Sequence, residues 1–398
     1  MYGLYVGIDV SKDSFSVAGI DSKGNVLFEG SYSMDAEGFS LFLETIVQHY
    51  KNLKQILAAM ESTGCYHLNL FSFLNQQGLQ VVVINPLLIS NFAKLSLRKT
   101  KTDKKDALTI AQFIVQHQDA VSGLAVSQGL QDLRDLARER ESLCHFISET
   151  KSEIKRVLRT TFPELEALCD ISTKVMLQFL LQYSSARMVT SAKQKDIVKA
   201  LERKGVGTRL TFSAQDILVA AKNSVGIVSP AKEIILQGKV STLMHLQERV
   251  EHMTKLMTTL CKASMLQDLQ IITSIKGIKT KTAVPFLAEV GDIKHYSCYK
   301  KLIAFAGLDP SVRQSGKYVG QSKISKRGNR HLRRSLYLMA SSVVRSNNFF
   351  RLYFMKKKQE GVSAQKALFA VTHKLIRVIF AMLKNKTHFN LKEVSVNS

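Results

Sequence analysis

The chain has 398 residues, 45% hydrophobic and 22% charged, and its 56 Lys and Arg against 32 Asp and Glu give a net charge of +24. The length predicts two or three domains, and the balance of apolar and charged residues excludes a disordered chain. No apolar run approaches the ~18 residues of a membrane span, the start Met1-Tyr2-Gly3-Leu4 carries no signal pattern, and the five scattered cysteines give neither a zinc site nor a disulfide framework, so a cytoplasmic protein without a membrane partner is expected.

Residues 4–34 read as three strands, Leu4 to Ser11, Ser14 to Ile20 and Val26 to Ser33, joined by turns. In the first, Leu4, Val6, Ile8 and Val10 share one face while Tyr5, Gly7 and Asp9 share the other, and Gly7 leaves the backbone beside Asp9 open to a close approach. A lone Asp at a strand end is more readily a turn former than a ligand, so its companions decide. Helical spacing follows from Asp35 to Tyr50, then a strand from Gln55 to Ser62 that carries Glu61, a helix from His67 to Gln76, and a strand from Gln80 to Asn85. A basic connection, Lys94 to Lys101, leads into a helix from Asp103 to about Gln118.

Three strands, helix, strand, helix, strand, helix is the order of the ribonuclease H-like fold, an α/β arrangement with a mixed sheet covered on both faces. There the first strand, the end of the fourth and the last helix meet at one edge, which brings together Asp9, Glu61, Asp103 and Asp106. At 100° per residue, Asp103 and Asp106 project with Ala107, Ile110, Ala111 and Ile114, the face expected to pack inward on the sheet. Acids in a first turn also suit the helix dipole, which accounts for one such residue better than for four converging ones. Four carboxylates suit one or two Mg²⁺ ions, with Mn²⁺ as a substitute, because these hard cations take oxygen ligands.

From Ser127 to Phe162 the pattern is long-helical, and a second long helix is expected from about Ala231 to Met265, where Leu243, Leu246, Val250, Met253, Met257 and Leu260 form an a/d seam. The two helices are expected to pair within one chain or between chains, and a homo-oligomer, dimer or tetramer, is anticipated. Residues 163–230 form a mixed helical insert with no legible function. The predicted domains are therefore 1–120, the α/β unit; 121–265, a helical coiled-coil region including that insert; and 266–398, a mainly helical basic region.

Ile272 to Ala283, with its Ile275-Lys276-Gly277-Ile278-Lys279 turn, resembles a helix-hairpin-helix whose amides hold a phosphate, although short glycine hairpins also occur as plain turns. Charge is concentrated further on. Residues 1–118 hold ten acids and ten bases, whereas residues 310–359 hold thirteen Lys and Arg and no acid. Such a run repels itself unless a polyanion neutralises it, so nucleic acid is the expected partner. Lys276, Lys279, Arg313, Lys317, Lys323, Lys326, Arg327, Arg330, Arg333 and Arg334 are the candidate contacts. Ser315 lies in this run between Arg313 and Lys317; it is either an incidental phosphate donor or a hydroxyl ringed by cations, as phosphoryl transfer by a serine requires.

Gly7-Ile8-Asp9-Val10-Ser11-Lys12, Met60-Glu61-Ser62-Thr63-Gly64, Lys101-Thr102-Asp103-Lys104-Lys105-Asp106-Ala107, Ala306-Gly307-Leu308-Asp309-Pro310, Gln314-Ser315-Gly316 and Lys326-Arg327-Gly328-Asn329 together resemble the IS110 insertion-sequence transposases and the similar Piv-type DNA invertases. The resemblance spans about residues 4–350. It implies a RuvC-like domain with an Asp-Glu-Asp-Asp set at Asp9, Glu61, Asp103 and Asp106, a C-terminal transposase domain with a nucleophilic serine at Ser315, and recombination of donor and target DNA guided by a structured RNA from the same element. It further implies a composite site in which Ser315 forms a covalent phosphoserine with Mg²⁺ assistance. A metal-dependent nuclease acting by hydrolysis is the competing expectation. For a sugar-kinase-like ATPase the second glycine-rich phosphate loop is missing and the charge is left unexplained, and a non-catalytic nucleic-acid-binding protein is the third reading, which magnesium-dependent activity would exclude.

Overall fold

The structure is a computed structural model that describes residues 2–61, 66–84, 89, 92, 103–117, 128–201, 211–311, 314–315, 318–319 and 323–390. Two compact units emerge: Met1–Gln131 with Gly291–Ser297, and Asp132–Val290 with Cys298–Ser398. A mixed-sheet N-terminal domain thus precedes a mostly helical body.

The first unit is built on five strands, β1 (Leu4–Val10), β2 (Ser14–Ile20), β3 (Val26–Ser33), β4 (Ile56–Glu61) and β5 (Gln80–Ile84), in the order β3-β2-β1-β4-β5. The first three form an antiparallel meander, while β4 and β5 join in parallel, as the intervening helical crossovers require. Those crossovers are α1 (Ala36–His49), whose first turn is capped by the Asp35 side chain accepting from the Gly38 amide, and α2 (His67–Gln76). Alternation along the strands splits the core by face. Leu4, Val6, Ile8, Ala58 and Met60 cluster with Phe39, Phe42 and Leu70 of α1 and α2. Tyr5, Leu57, Ala59 and Val82 cluster instead with Ile110, Ala111 and Ile114 of α3 (Asp103–Gln116).

The second unit begins along α4 (Gln128–Thr161). Five short helices follow: α5 (Glu164–Leu168), α6 (Lys174–Gln182), α7 (Ala186–Ser191), α8 (Gln194–Leu201) and α9 (Ala214–Lys222). They give the 163–230 insert a core of its own, in which Met176, Phe179, Leu180 and Ile217 pack with Ile154 and Leu158 of α4 and with Leu236 and Val240 of α10 (Pro230–Thr273). Arg187 and Ser185 hold the buried Glu233 near the start of α10. The α10 helix passes Met265, where the backbone leaves helical values at φ −138° and ψ 35°, and runs eight residues beyond the predicted end. Contacts between Glu153 and Lys239, Glu139 and Arg249, and Arg140 and Thr254 show that α4 and α10 run antiparallel side by side within one chain. Leu243 and Met257 of the predicted seam are buried, whereas Leu260 is exposed.

The remaining elements are α11 (Thr280–Val290), α12 (Tyr299–Phe305), the two-residue strands β6 (Pro310–Ser311), β7 (Gln314–Ser315), β8 (Tyr318–Val319) and β9 (Lys323–Ile324), and the helices α13 (Arg330–Ser346), α14 (Asn348–Gln359) and α15 (Ala364–Asn385). The turn between α10 and α11 is present as expected. Gly277 takes φ +105°, a value that favours glycine, and its carbonyl accepts a hydrogen bond from the Ser342 hydroxyl at 2.6 Å, so the turn is fastened to α13. Cys144, Cys169, Cys261 and Cys298 form no disulfide among the described residues, and burial pushes the thiols of Cys169 and Cys261 up to about 11; Cys65 lies outside the described residues. Among the described residues no helix is long and apolar enough to cross a membrane.

Candidate catalytic edge and basic segment

Strand register brings the first two carboxylates together. Strands β1 and β4 pair in parallel through Ile8 and Met60, so Asp9 and Glu61 are the next residues on neighbouring strands. Alternation puts both on the face where Tyr5, Leu57 and Ala59 meet α3. That helix lies directly on β1, because a Cβ at Gly7 would overlap the carbonyl oxygen of Ala107 and the amide nitrogen of Ala111. Beyond that point Ile110, Phe113 and Ile114 share the apolar cluster of Tyr5, which leaves the polar first turn, with Asp103 and Asp106, as the part of α3 available to the Asp9 end.

Burial grades this set. Asp9, Glu61 and Asp106 are half-buried, whereas Asp103 is exposed. The expectation that Asp103 and Asp106 both point inward is thus met partly by Asp106 and not by Asp103, since angular position on a helix buries a residue only where a neighbouring layer covers it. Among the described residues no three His, Cys, Asp or Glu side chains are gathered into a cation cage. The donors at this edge are all carboxylates, and their oxygen chemistry fits a hard divalent cation better than a soft metal.

The basic segment is organised from its base. Strand β6 pairs with β9, and between them in the chain β7 and β8 form a separate two-stranded ladder in which Ser315 pairs with Tyr318. Just outside the β6–β9 pair, the Ser325 amide donates to the Asp309 carbonyl at 2.8 Å and the Ser325 hydroxyl donates to the Asp309 carboxylate at 2.6 Å. The Lys326 amide reaches the Gly307 carbonyl, the Asn329 amide the Phe305 carbonyl, and Arg333 Nη1 the Ala306 carbonyl. Residues 305–309 are thereby tied to residues 325–333, on either side in the chain of the strand that carries Ser315.

Below this junction lies a buried charge that the sequence analysis did not single out. Glu289 of α11, only 2% exposed, accepts both Nε and Nη2 of Arg138 at 2.8 and 2.9 Å and the side-chain amide of Asn329 at 2.7 Å. The Asn329 side-chain oxygen Oδ1 in turn caps α13 by accepting from the amides of His331 and Leu332. Burial acts to raise the Glu289 pKa, but the hydrogen bonds and charge of Arg138, with Asn329 and Arg134, outweigh it and hold the carboxyl below its ordinary value. The available signal was the single acid in the otherwise apolar and basic run Thr280–Val290.

The candidate nucleic-acid contacts differ in how free they are. Lys276, Lys279, Lys326, Arg327 and Arg330 are exposed. Arg333 is half-buried and engaged with Ala306, and Arg334 pairs with Glu141 at 3.2 Å, which also holds His331 at 2.8 Å. Arg313 and Lys317 lie outside the described residues, as do Ser62, Thr63 and Gly64 after Glu61; only the backbone of Ser315 and Lys323 is described.

A carboxylate-bearing mixed sheet and an acid-free basic segment on one chain are the parts of a DNA-processing enzyme. Residues 6–163 match the DEDD transposase model of IS110, and residues 269–355 match the transposase model of the IS116/IS110/IS902 family. The chain belongs to the IS110 family of insertion-sequence transposases. It is 25% identical to the IS116 insertion-element protein of Streptomyces clavuligerus, over 97% of this chain and 96% of that one. It is also 22% identical to the pilin gene-inverting protein of Moraxella bovis, over 98% of both chains, and 25% identical to the transposase for insertion sequence element IS1111A of Coxiella burnetii, over 95% of this chain and 89% of the other.

Proposed function

We propose that this protein is a transposase or site-specific recombinase that cuts and rejoins DNA through a covalent phosphoserine at Ser315, with a divalent metal held by Asp9, Glu61, Asp103 and Asp106. The observation that carries the acidic half is the register of Asp9 beside Glu61 on the face that α3 covers. The sheet order β3-β2-β1-β4-β5 is that of a ribonuclease H-like, RuvC-like domain, which supports the same assignment for residues 1–120. Residues 121–265 then serve as a coiled-coil connection and residues 266–398 as the transposase domain.

In this mechanism the Ser315 hydroxyl attacks a backbone phosphorus, a serine O–P bond forms as the serine proton is lost, and the P–O bond to one deoxyribose oxygen breaks as that oxygen takes up a proton and leaves as a hydroxyl. A deoxyribose hydroxyl from another strand then attacks the phosphoserine, and the serine oxygen leaves and recovers a proton. One phosphodiester is exchanged for another, with no net hydrolysis. Bound Mg²⁺ or Mn²⁺ would supply Lewis-acid stabilisation of charge on the reacting oxygens. Exposed cations such as Arg327 and Arg330 hold the phosphates and stabilise charge as it develops on them. Partner choice belongs to a structured RNA of the same element that pairs with donor and target DNA, and the protein works as a dimer or tetramer in the bacterial cytoplasm. The gene inversion named for the Moraxella relative is a DNA rearrangement of this kind.

Covalent protein–DNA adducts trapped on denaturing gels test the assignment. Ser315→Ala is expected to abolish adducts and recombination while nucleic-acid binding persists. Adducts that persist in Ser315→Ala and disappear in Ser322→Ala or Ser325→Ala would overturn it. Wild-type protein that nicks DNA without any adduct would establish the hydrolytic nuclease instead.

A further inference from the structure

Helices α14 and α15 carry a second group of cations, apart from the contacts assigned above. The Lys374 ammonium sits 4.1 Å from the ring centroid of Phe349 and 4.6 Å from that of Tyr353. Three residues on, the Arg377 guanidinium lies 5.4 Å from the ring centroid of Tyr299 on α12. Burial, then the charges of Arg377 and Lys356, holds the Lys374 pKa below its usual value, so the three cations feel one another. Between Arg330 and Asn390 the single acid is Glu360, which Lys357 holds at 2.6 Å, and among the described residues no carboxylate pairs with Lys356, Lys374 or Arg377.

A merely solvated basic face lets its lysines extend into water, where hydration and side-chain entropy are retained. Here one ammonium is half-buried on two aromatic rings, an arrangement that fixes its position and favours its charge through the ring quadrupoles. A guanidinium over a ring face likewise keeps its in-plane N–H donors for a ligand. Lys356 and Arg377 are exposed, so the ligand meets an open surface rather than an enclosed pocket. These features fit a group with two or more anionic oxygens carried on a polymer.

We propose that Lys356, Lys374 and Arg377 form a binding site for a backbone phosphate of nucleic acid, with Phe349, Tyr353 and Tyr299 fixing the two cations on α15. The site rests on the nucleic-acid-directed part of the proposed function and is independent of Ser315 chemistry. Its three cations lie on the last two helices beyond residue 355, where the family match ends.

Fluorescence anisotropy across a salt series tests this with full-length protein and three labelled probes: an oligodeoxynucleotide, the RNA of the same sequence, and the DNA duplex. Lys374→Met, which retains an apolar stem on the rings, and Arg377→Gln, at an exposed position, are each expected to weaken binding about tenfold and to lower the salt slope by about one. Loss on RNA alone assigns the phosphate to RNA, loss on DNA alone assigns it to DNA, and loss on all three marks a contact to the phosphate they share. Lys358→Gln, an exposed lysine on α14 outside the group, is the control for bulk charge. Wild-type affinity and slope in both test variants, or an equal loss in Lys358→Gln, overturns the site. The adduct assay reads the Ser315 mechanism separately, so failure of one leaves the other distinguishable.

Discussion

Two sets of carboxylates in this molecule have opposite surroundings. Glu289 is buried and satisfied three times over, by two guanidinium N–H groups and an amide, and its carboxylate is a closed structural joint between α4, α11 and the start of α13. Asp103 and Asp106 occupy a helix first turn, exposed and half-buried, with no hydrogen-bond or ion-pair partner among the described residues. A charge removed from water must be met by the protein, whereas a charge left at an edge costs little and remains available to a ligand. The contrast separates a carboxylate that holds the fold from two that are left accessible at an edge.

The largest expected effect is on activity at the edge. Asp103→Asn should reduce recombination by more than about a hundredfold, the scale for losing a metal-binding or charge-stabilising group in phosphoryl transfer, while folding stability falls by no more than about 1 kcal/mol of helix-dipole interaction. Recombination assays beside chemical denaturation of the purified variant check both halves. Full activity in a folded Asp103→Asn protein would remove that residue from the metal set.

Next comes the joint. Glu289→Gln should destabilise the protein by about 3 kcal/mol, near the low end for breaking a buried pair because the Arg138 side chain is 41% exposed. The sign of its pH dependence follows from the depressed pKa. The Glu289 contribution is fully present above the ordinary glutamate value of 4.5 and is lost as pH falls through the lower folded-state value. Denaturation midpoints measured from neutral pH into this acid range should fall more steeply for wild type than for Glu289→Gln. Parallel curves would mean that the carboxylate is not held as its partners indicate.

Local patterns carried much of the fold in the sequence, and non-local contacts did not. Strands β1 to β3 and helices α1 and α2 lie within a residue or two of the sequence expectation, because alternation and helical periodicity are properties of adjacent residues. The placement of Asp9 beside Glu61 at the end of neighbouring parallel strands followed from the strand order together with both acids lying at the ends of their strands. The exposure of Asp103 was not legible, because a helical wheel has no axial coordinate and does not show where the covering layer stops. Glu289 was missed for another reason: its partners Arg138 and Asn329 lie 151 and 40 residues away, and no local period connects them. The departure of α10 from helical geometry at Met265 has neither proline nor glycine at that residue to announce it.

The smallest predicted effect joins the fold to the edge. At Gly7 the α3 backbone touches the sheet through the Ala107 carbonyl and the Ala111 amide, atoms on adjacent turns of the helix and not the movable end of a side chain. Gly7→Ala therefore leaves the helix no local adjustment and must lift it from β1, at the usual overpacking cost of about 1–3 kcal/mol. Asp106 immediately precedes Ala107, so the same displacement moves a carboxylate relative to Asp9. The expected result is a lower thermal midpoint together with reduced recombination, in contrast to Asp103→Asn, where activity falls almost alone. Gly7→Ala protein that matches wild type in both measurements would show that α3 is not seated on β1 through this glycine, and the placement of Asp103 and Asp106 toward Asp9 would lose its support.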